Sequence, residues 1–353
     1  MLDLLVVGAG PTGLMLACEA LRHGLTVRVV DRAPAPSPLS RAVVLQARTL
    51  EILETHGLTP ALIEAGQPLH HVHFTAGGRE VSVSFDHLPT RYPYLLCLPQ
   101  STTEAILQAR LASLGGRVDR DVALHALRAD ADGVTAVMDD GEQRCAWLVG
   151  CDGAHSEVRK QLGLTFTGHA YEERLVLGDV RWDAPVPTDA LSSFLGDGFL
   201  AAFPLPDGRV RLIATVDDDR EDEPTLQDLA AICEARSPWG GRLSDPGWLA
   251  RFRIHARQVD RYRVGRVLVA GDAAHIHSPA GGQGMNLGIQ DAHNLGWKLA
   301  MMQRGAPEGL LESYHAERHP IAARTLRATD LATRLGTVRH PWLRALRDLA
   351  GSA

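Results

Sequence analysis

Gly8-Ala9-Gly10-Pro11-Thr12-Gly13 follows an apolar run at 4–7 and precedes helix formers at 14–23. Residues 4–7 read as a buried parallel strand. Residues 14–23 carry apolar side chains at helical spacing, and Gly24 is placed to stop the helix. A second β-branched run occupies 26–30. Strand, helix and strand within about thirty residues make a βαβ unit. The glycines suit a tight turn, close approach to a pyrophosphate and tight helix packing, with helix amides facing the phosphates. Asp31-Arg32 closes the second strand; Asp31 is placed to accept hydrogen bonds from an adenosine ribose. Gly8, Gly10, Pro11, Thr12, Gly13, Asp31 and Arg32 thus form a candidate dinucleotide site. The motif by itself does not separate FAD from NAD.

Downstream, Pro34, Pro36 and Pro38 impose an irregular loop, and 47–55 predicts a helix stopped by Gly57. Alternation of Val72, Phe74, Val81, Val83 and Phe85 around Gly77-Gly78 predicts a hairpin. Residues 101–114 predict a helix with Ser101 as N-cap and Glu104 closing a capping box. Three short antiparallel strands are expected over 122–149, broken at Asp132-Gly133 and Asp140-Gly141. Sheet is expected at 175–180, 199–204 and 209–216. A solvated acidic turn at 217–223 should precede a helix at 226–235. Residues 266–270 read as a buried strand, and helices dominate from Gly284 onward.

The net charge of −6 excludes the basic footprint that nucleic acid requires. Five scattered cysteines without a C-x-x-C pair suit a reducing compartment. Met1-Leu2-Asp3 runs straight into the first strand, and no apolar run approaches the ~20 residues that span a bilayer. The expectation is a cytoplasmic protein of one or two domains. His70, His71 and His73 read as strand residues rather than metal ligands, and His275 and His277 as packing or hydrogen-bonding groups. Tyr92-Pro93-Tyr94 could line a pocket or cap a sheet.

Three motifs together carry a resemblance. Besides the glycine loop, there is Cys151-Asp152-Gly153-Ala154-His155-Ser156, followed by Val158-Arg159. The third is Gly271-Asp272-Ala273-Ala274-His275, continuing as Ser278-Pro279-Ala280-Gly281-Gly282-Gln283-Gly284-Met285-Asn286. The chain resembles the para-hydroxybenzoate hydroxylase-like (class A) FAD-dependent aromatic and polyketide monooxygenases over nearly its whole length. In that resemblance Asp152 and Arg159 help hold the FAD pyrophosphate and an entering nicotinamide nucleotide. Gly271 and Asp272 meet the ribityl region. Pro279, Gly282, Gly284, Met285 and Asn286 belong to the loop that approaches the flavin ring. Helix amides at Met285 would stabilise negative charge on reduced flavin. Ser40-Arg41-Ala42 looks like the segment lending Arg41 to the phosphates, and Pro99-Gln100 like the one whose Gln100 meets the ribityl chain. Many such relatives carry a further thioredoxin-like domain, for which this chain, ending at Ala353, is expected to leave no room.

The implied architecture is α/β: a Rossmann-type, glutathione-reductase-like FAD domain over 1–70, 96–174 and 257–353. A mainly β substrate domain is inserted at 71–95 and 175–256. Phe74, Phe203 and Pro204 are the expected pocket walls. The implied reaction passes a hydride from NADPH or NADH to FAD, takes up O2 as a C4a-hydroperoxide and hydroxylates an aromatic, phenolic or polyketide-like substrate. The flavin carries the chemistry, so no catalytic side chain is nominated. The nicotinamide nucleotide is expected on an open surface near Arg41, Asp152 and Arg159, because no second βαβ fingerprint occurs. Baeyer–Villiger or epoxidising chemistry and a non-catalytic redox module stay open as alternatives. No W-x-W-x-I-P segment supports a halogenase and no G-x-S-x-G a hydrolase. Substrate identity and oligomeric state are left open.

Overall fold

The computed structural model describes residues 1–336, apart from 38, 39, 41, 217–219, 221 and 280. Arg41, Pro38 and most of the expected acidic turn therefore lie outside the described residues. The first sheet runs β17 (Arg263–Val264), β18 (Val267–Val269), β11 (Gly141–Gly150), β1 (Leu2–Val7), β2 (Val27–Asp31) and β8 (Val118–Arg120). From β18 to β8 every pairing is parallel. Leu4, Leu5, Val6, Leu148 and Val149 are fully buried, as expected of a parallel sheet covered on its faces. Helix α1 (Pro11–Arg22) connects β1 to β2 and packs on α7 (Gly284–Gln303). At their contact Gly288 leaves no room for a Cβ, which would meet the Thr12 hydroxyl at 2.2 Å. The expected antiparallel strands appear as β9 (Leu124–Ala129) and β10 (Val134–Met138), added to the amino-terminal half of β11.

The second sheet runs β19 (His275–Ile276), β16 (Leu243–Val259), β12 (Phe166–Trp182), β15 (Val210–Val216), β14 (Gly198–Pro204), β13 (Ala190–Gly196), β5 (His71–Ala76) and β6 (Arg79–Ser84). Its alternation sorts the side chains onto two faces. Val176, Val180, Leu212 and Ala214 pack under α6 (Leu226–Arg236), meeting Leu229 and Cys233. Leu175, Leu177, Ile213 and Ile254 face the other way. A small sheet of β3 (Val44–Leu45), β7 (Leu95–Cys97) and β4 (Gln67–Leu69) lies at the junction, where Val44 and Cys97 share a cluster with Leu205 and Phe203.

The helix expected at 101–114 is α4 (Gln100–Ser113), and its expected capping box does not form. The helix starts one residue earlier, behind Pro99, and the hydroxyl of Ser40 accepts the Gln100 N–H at 2.6 Å. Glu104 accepts instead from the Gln100 side chain at 2.7 Å. A capping box does form where it was not expected, between Thr225 and Asp228 at the start of α6. Among the described residues the other α-helices are α2 (Ala47–Glu54), α3 (Thr59–Ala65), α5 (Glu157–Gln161) and α8 (Gly309–Gly336).

Candidate active site

The three motifs sit on the carboxyl ends of β1, β11 and β18, adjacent parallel strands whose end loops form the usual ligand crevice of such sheets. They touch one another. A Cβ on Gly8 would strike the Cys151 carbonyl oxygen at 2.4 Å, and one on Gly13 the Gly8 carbonyl oxygen at 1.9 Å. A Cβ on Gly271 would strike the Thr12 hydroxyl at 2.5 Å. These glycines let three loops converge. Gly10 differs, for a Cβ there would meet nothing within 4 Å. Gly10 is also the N-cap of α1 and supplies no side chain to the first-turn amides. Open space beside uncapped helix amides is what a pyrophosphate needs.

Asp31 turns its carboxylate back on the loop, accepting from the N–H groups of Ala9 at 2.7 Å and Ala33 at 2.8 Å. Arg32 is exposed beside it. Gln100 accepts from the Ala42 N–H at 3.1 Å, so its side chain joins α4 to the 40–42 segment. Asp272 is exposed at the cleft, directly after Gly271. Asp152 caps α5: it accepts from the Ser156 hydroxyl at 2.5 Å and from the N–H groups of Glu157 and Val158.

Arg159 has a different post from the surface role expected of it. It is 7% exposed, and its guanidinium donates to the carbonyls of Ala154 and Ala273 at 2.7 and 3.1 Å while lying 3.9 Å over the Phe166 ring. It ties the loop after β11 to the turn after β18. A sequence shows the arginine but not which loops its fork can reach.

The loop at 278–284 is braced from beneath. Asn286 is fully buried; its amide donates to the carbonyls of Val44 and Gly282 and accepts from the Gln46 N–H at 2.9 Å. Met285 beside it is buried, and Gly284 opens α7 with no side-chain cap. One turn on, Asp291 is buried between His275 and Arg318, at 2.6 and 2.7 Å, and accepts from the Gly271 N–H at 3.2 Å. Burial opposes its ionisation, but the His275 and Arg318 partners outweigh that and hold its carboxyl below the usual range.

Above this loop lies a cavity of about 900 Å³. Leu175, Phe199, Ala201, Phe203, Ile213 and Ile254 line it from the second sheet, and Ser278, Pro279, Gly281, Gly282 and Gln283 from the loop. Phe74 contributes from β5 and Tyr94 from the junction, so the Tyr92-Pro93-Tyr94 stretch does reach the cavity. Pro204 follows Phe203 on β14 and faces the side away from the lining, as strand alternation requires. Beside the cavity, fully buried Arg211 grips Asp179 with two bonds of 2.7 Å and reaches the Ala42 carbonyl at 3.3 Å. Sequence reading missed this pair, which fastens the second sheet to the 40–42 segment.

His277 stands under the loop with Nδ1 at 2.8 Å from the Ser278 carbonyl. Burial pushes its pKa down from 6.5 to about 4. Between these values the unfolded chain binds a proton that the folded chain refuses, so acid favours unfolding. Stability should fall by up to about 1.4 kcal/mol per pH unit across that window from this group alone. His277→Leu is expected to flatten the pH dependence of Tm there; an unchanged slope would refute the assignment.

The FAD binding domain family matches residues 1–329. The rifampicin monooxygenase of Streptomyces venezuelae is 42% identical over 99% of this chain and 74% of its own length. The solved anhydrotetracycline hydroxylase of Streptomyces rimosus superposes with a TM-score of 0.83 at 39% identity, covering 99% of this chain and 72% of that one. Aklavinone-11 hydroxylase, solved with FAD and aklavinone, gives 0.81 at 30% identity over 94% and 68%.

Proposed function

The chain belongs to the FAD binding domain family and is an FAD-dependent monooxygenase; from that premise we propose that it hydroxylates a multi-ring phenolic or polyketide-like aromatic, using O2 and NADPH or NADH. The observation that carries the substrate class is the cavity itself. Its volume, about 900 Å³, lies near the upper end for small-molecule pockets, and its walls are mainly aliphatic and aromatic. It is bounded by the second sheet on one side and the 278–283 loop on the other.

In this reading Gly8, Gly10, Pro11, Thr12 and Gly13 receive the pyrophosphate, with Asp31 and Arg32 toward the adenosine. Arg41, Gln100, Gly271 and Asp272 attend the ribityl and phosphate groups. Pro279, Gly282, Gly284, Met285 and Asn286 shape the seat of the flavin ring. FAD, when bound, supplies the hydride-accepting and oxygen-transferring chemistry. The chain's residues position the ring and the substrate and keep water from between them. Burial raises the pKa of Tyr94, so its hydroxyl stays protonated and can donate to a substrate oxygen. The FAD-binding part would comprise 1–70, 96–174 and 257–353 and the substrate part 71–95 and 175–256, with boundaries falling inside strands β7, β12 and β16. A cytoplasmic location suits a user of reduced nicotinamide. Among the described residues no helix is long and apolar enough to cross a membrane.

The nicotinamide nucleotide would bind on the open surface near Arg41 and Asp152. An aromatic bound in the cavity between the second sheet and the loop residues 278, 279 and 281–283 would favour, by differential binding, the state of the chain in which the nucleotide can reduce bound FAD. A bias of about 1.4 kcal/mol already gives tenfold. Anaerobic bleaching of the flavin absorbance by NAD(P)H should therefore be at least about tenfold faster with a hydroxylatable polycyclic phenol than without. Hydroxylated product should form once O2 is admitted. Equal bleaching rates would refute the gating, and consumption of NAD(P)H without any aromatic product across a polycyclic panel would refute the substrate class.

A further inference from the structure

Away from the glycine loop, near the carboxyl-terminal end of α1, Glu19 is buried to 2% exposure. A carboxylate in such a place is costly unless it is paired. Its surroundings are three histidines from three parts of the fold. His56, between α2 and α3, is 3% exposed and brings Nε2 to 2.5 Å from Glu19 Oε2. His293, on α7, directs Nδ1 at the same oxygen from 3.7 Å. His23, the C-cap of α1, places Nε2 at 3.0 Å from Oε1. Arg22 stands 3.7 Å from Oε2 but donates to the Thr55 carbonyl and hydroxyl.

Two observations go beyond an ordinary hydrogen-bond hub. The Nδ1 atom of His293 is buried and has no hydrogen-bond partner among the described residues, although it faces a carboxylate. On α7, a Cβ at Gly296 would strike Glu19 Cγ at 2.6 Å, so the helix is cleared for this side chain. Glu19 Oε2, His56 Nε2 and His293 Nδ1 are within 4.8 Å of one another. Two imidazole nitrogens and one carboxylate oxygen form a donor set that zinc-class ions take, whereas magnesium and calcium favour all-oxygen sets. The partial exposure of His293 and His23, 29% and 33%, gives an entry path and room for a fourth ligand.

We propose that Glu19, His56 and His293 form a binding site for a divalent zinc-class ion, separate from the flavin cleft, which clamps α1 and α7 to the turn between α2 and α3. Binding to the folded chain alone raises its stability by mass action. The test uses untagged FAD-loaded protein, treated with a chelator, desalted and titrated calorimetrically with zinc chloride. One equivalent should bind saturably, and a hundredfold excess over Kd should raise Tm by about 4 °C. His293→Ala should abolish both signals while keeping FAD. His56→Gln reports the same loss independently if His293→Ala weakens the fold. Absence of saturable uptake by the wild type, or uptake that survives both substitutions, overturns the proposal.

Discussion

Gly10→Val is expected to yield a folded protein without yellow colour. Gly10 has φ −76° and ψ −176°, extended backbone that a β-branched residue adopts without strain. A Cβ there meets nothing within 4 Å, so the apo loop has no clash to relieve. The cost to the fold is the weaker N-cap, about 1 kcal/mol. The valine methyls would occupy the space beside the first-turn amides of α1, where the pyrophosphate belongs. FAD affinity should fall at least a hundredfold, about 2.7 kcal/mol. Gly13→Val makes the contrast, since its Cβ would overlap the Gly8 carbonyl oxygen at 1.9 Å and disrupt the loop itself. That variant should lose both FAD and thermal stability. Flavin fluorescence titration and apo-protein melting separate the two; wild-type FAD affinity in Gly10→Val would refute the assignment of this loop.

Asp291→Ala should produce the largest loss of stability away from the glycine loop. It leaves Arg318, itself 7% exposed, as an uncompensated buried charge and frees the Gly271 N–H and the His275 ring. Removing one partner of a buried pair costs about 3–5 kcal/mol, which lowers Tm by roughly 4–7 °C for a chain of this length. FAD retention should fall as well, because Asp291 anchors the turn that presents Asp272. Asp291→Asn, which keeps one acceptor, should fall between. A Tm within about 1 °C of wild type for the alanine variant would contradict this role.

The βαβ unit and the three motif loops were legible because each is local, a few residues whose glycines and acids announce a turn at a strand end. What was missed depends on partners distant in the chain. Strand β16 carries Pro246-Gly247, which reads as a break. The strand tolerates it because the register with β12 shifts there, between the Asp179–Trp248 and Arg181–Ser244 pairings. Alternating Arg251, Arg253 and Arg257 further dilute its apolar pattern. Asp291 left a usable sign, a carboxylate on the helix face that also carries Leu287 and Leu295. A charge in that phase must meet a buried partner, although the sequence does not say that the partner is Arg318. Asp152 and Arg159 were expected to hold the pyrophosphate and an entering nicotinamide nucleotide. Their spending on a helix cap and two carbonyls was beyond what the motif could show.

The proposed oxygen chemistry takes place between the second sheet and the loop at 278–283. Its most direct test is mass spectrometry of the product formed from a polycyclic phenol and NAD(P)H under 18O2 in ordinary water. One labelled oxygen atom in the product is the predicted result. An oxygenated product that carries only solvent oxygen would contradict it.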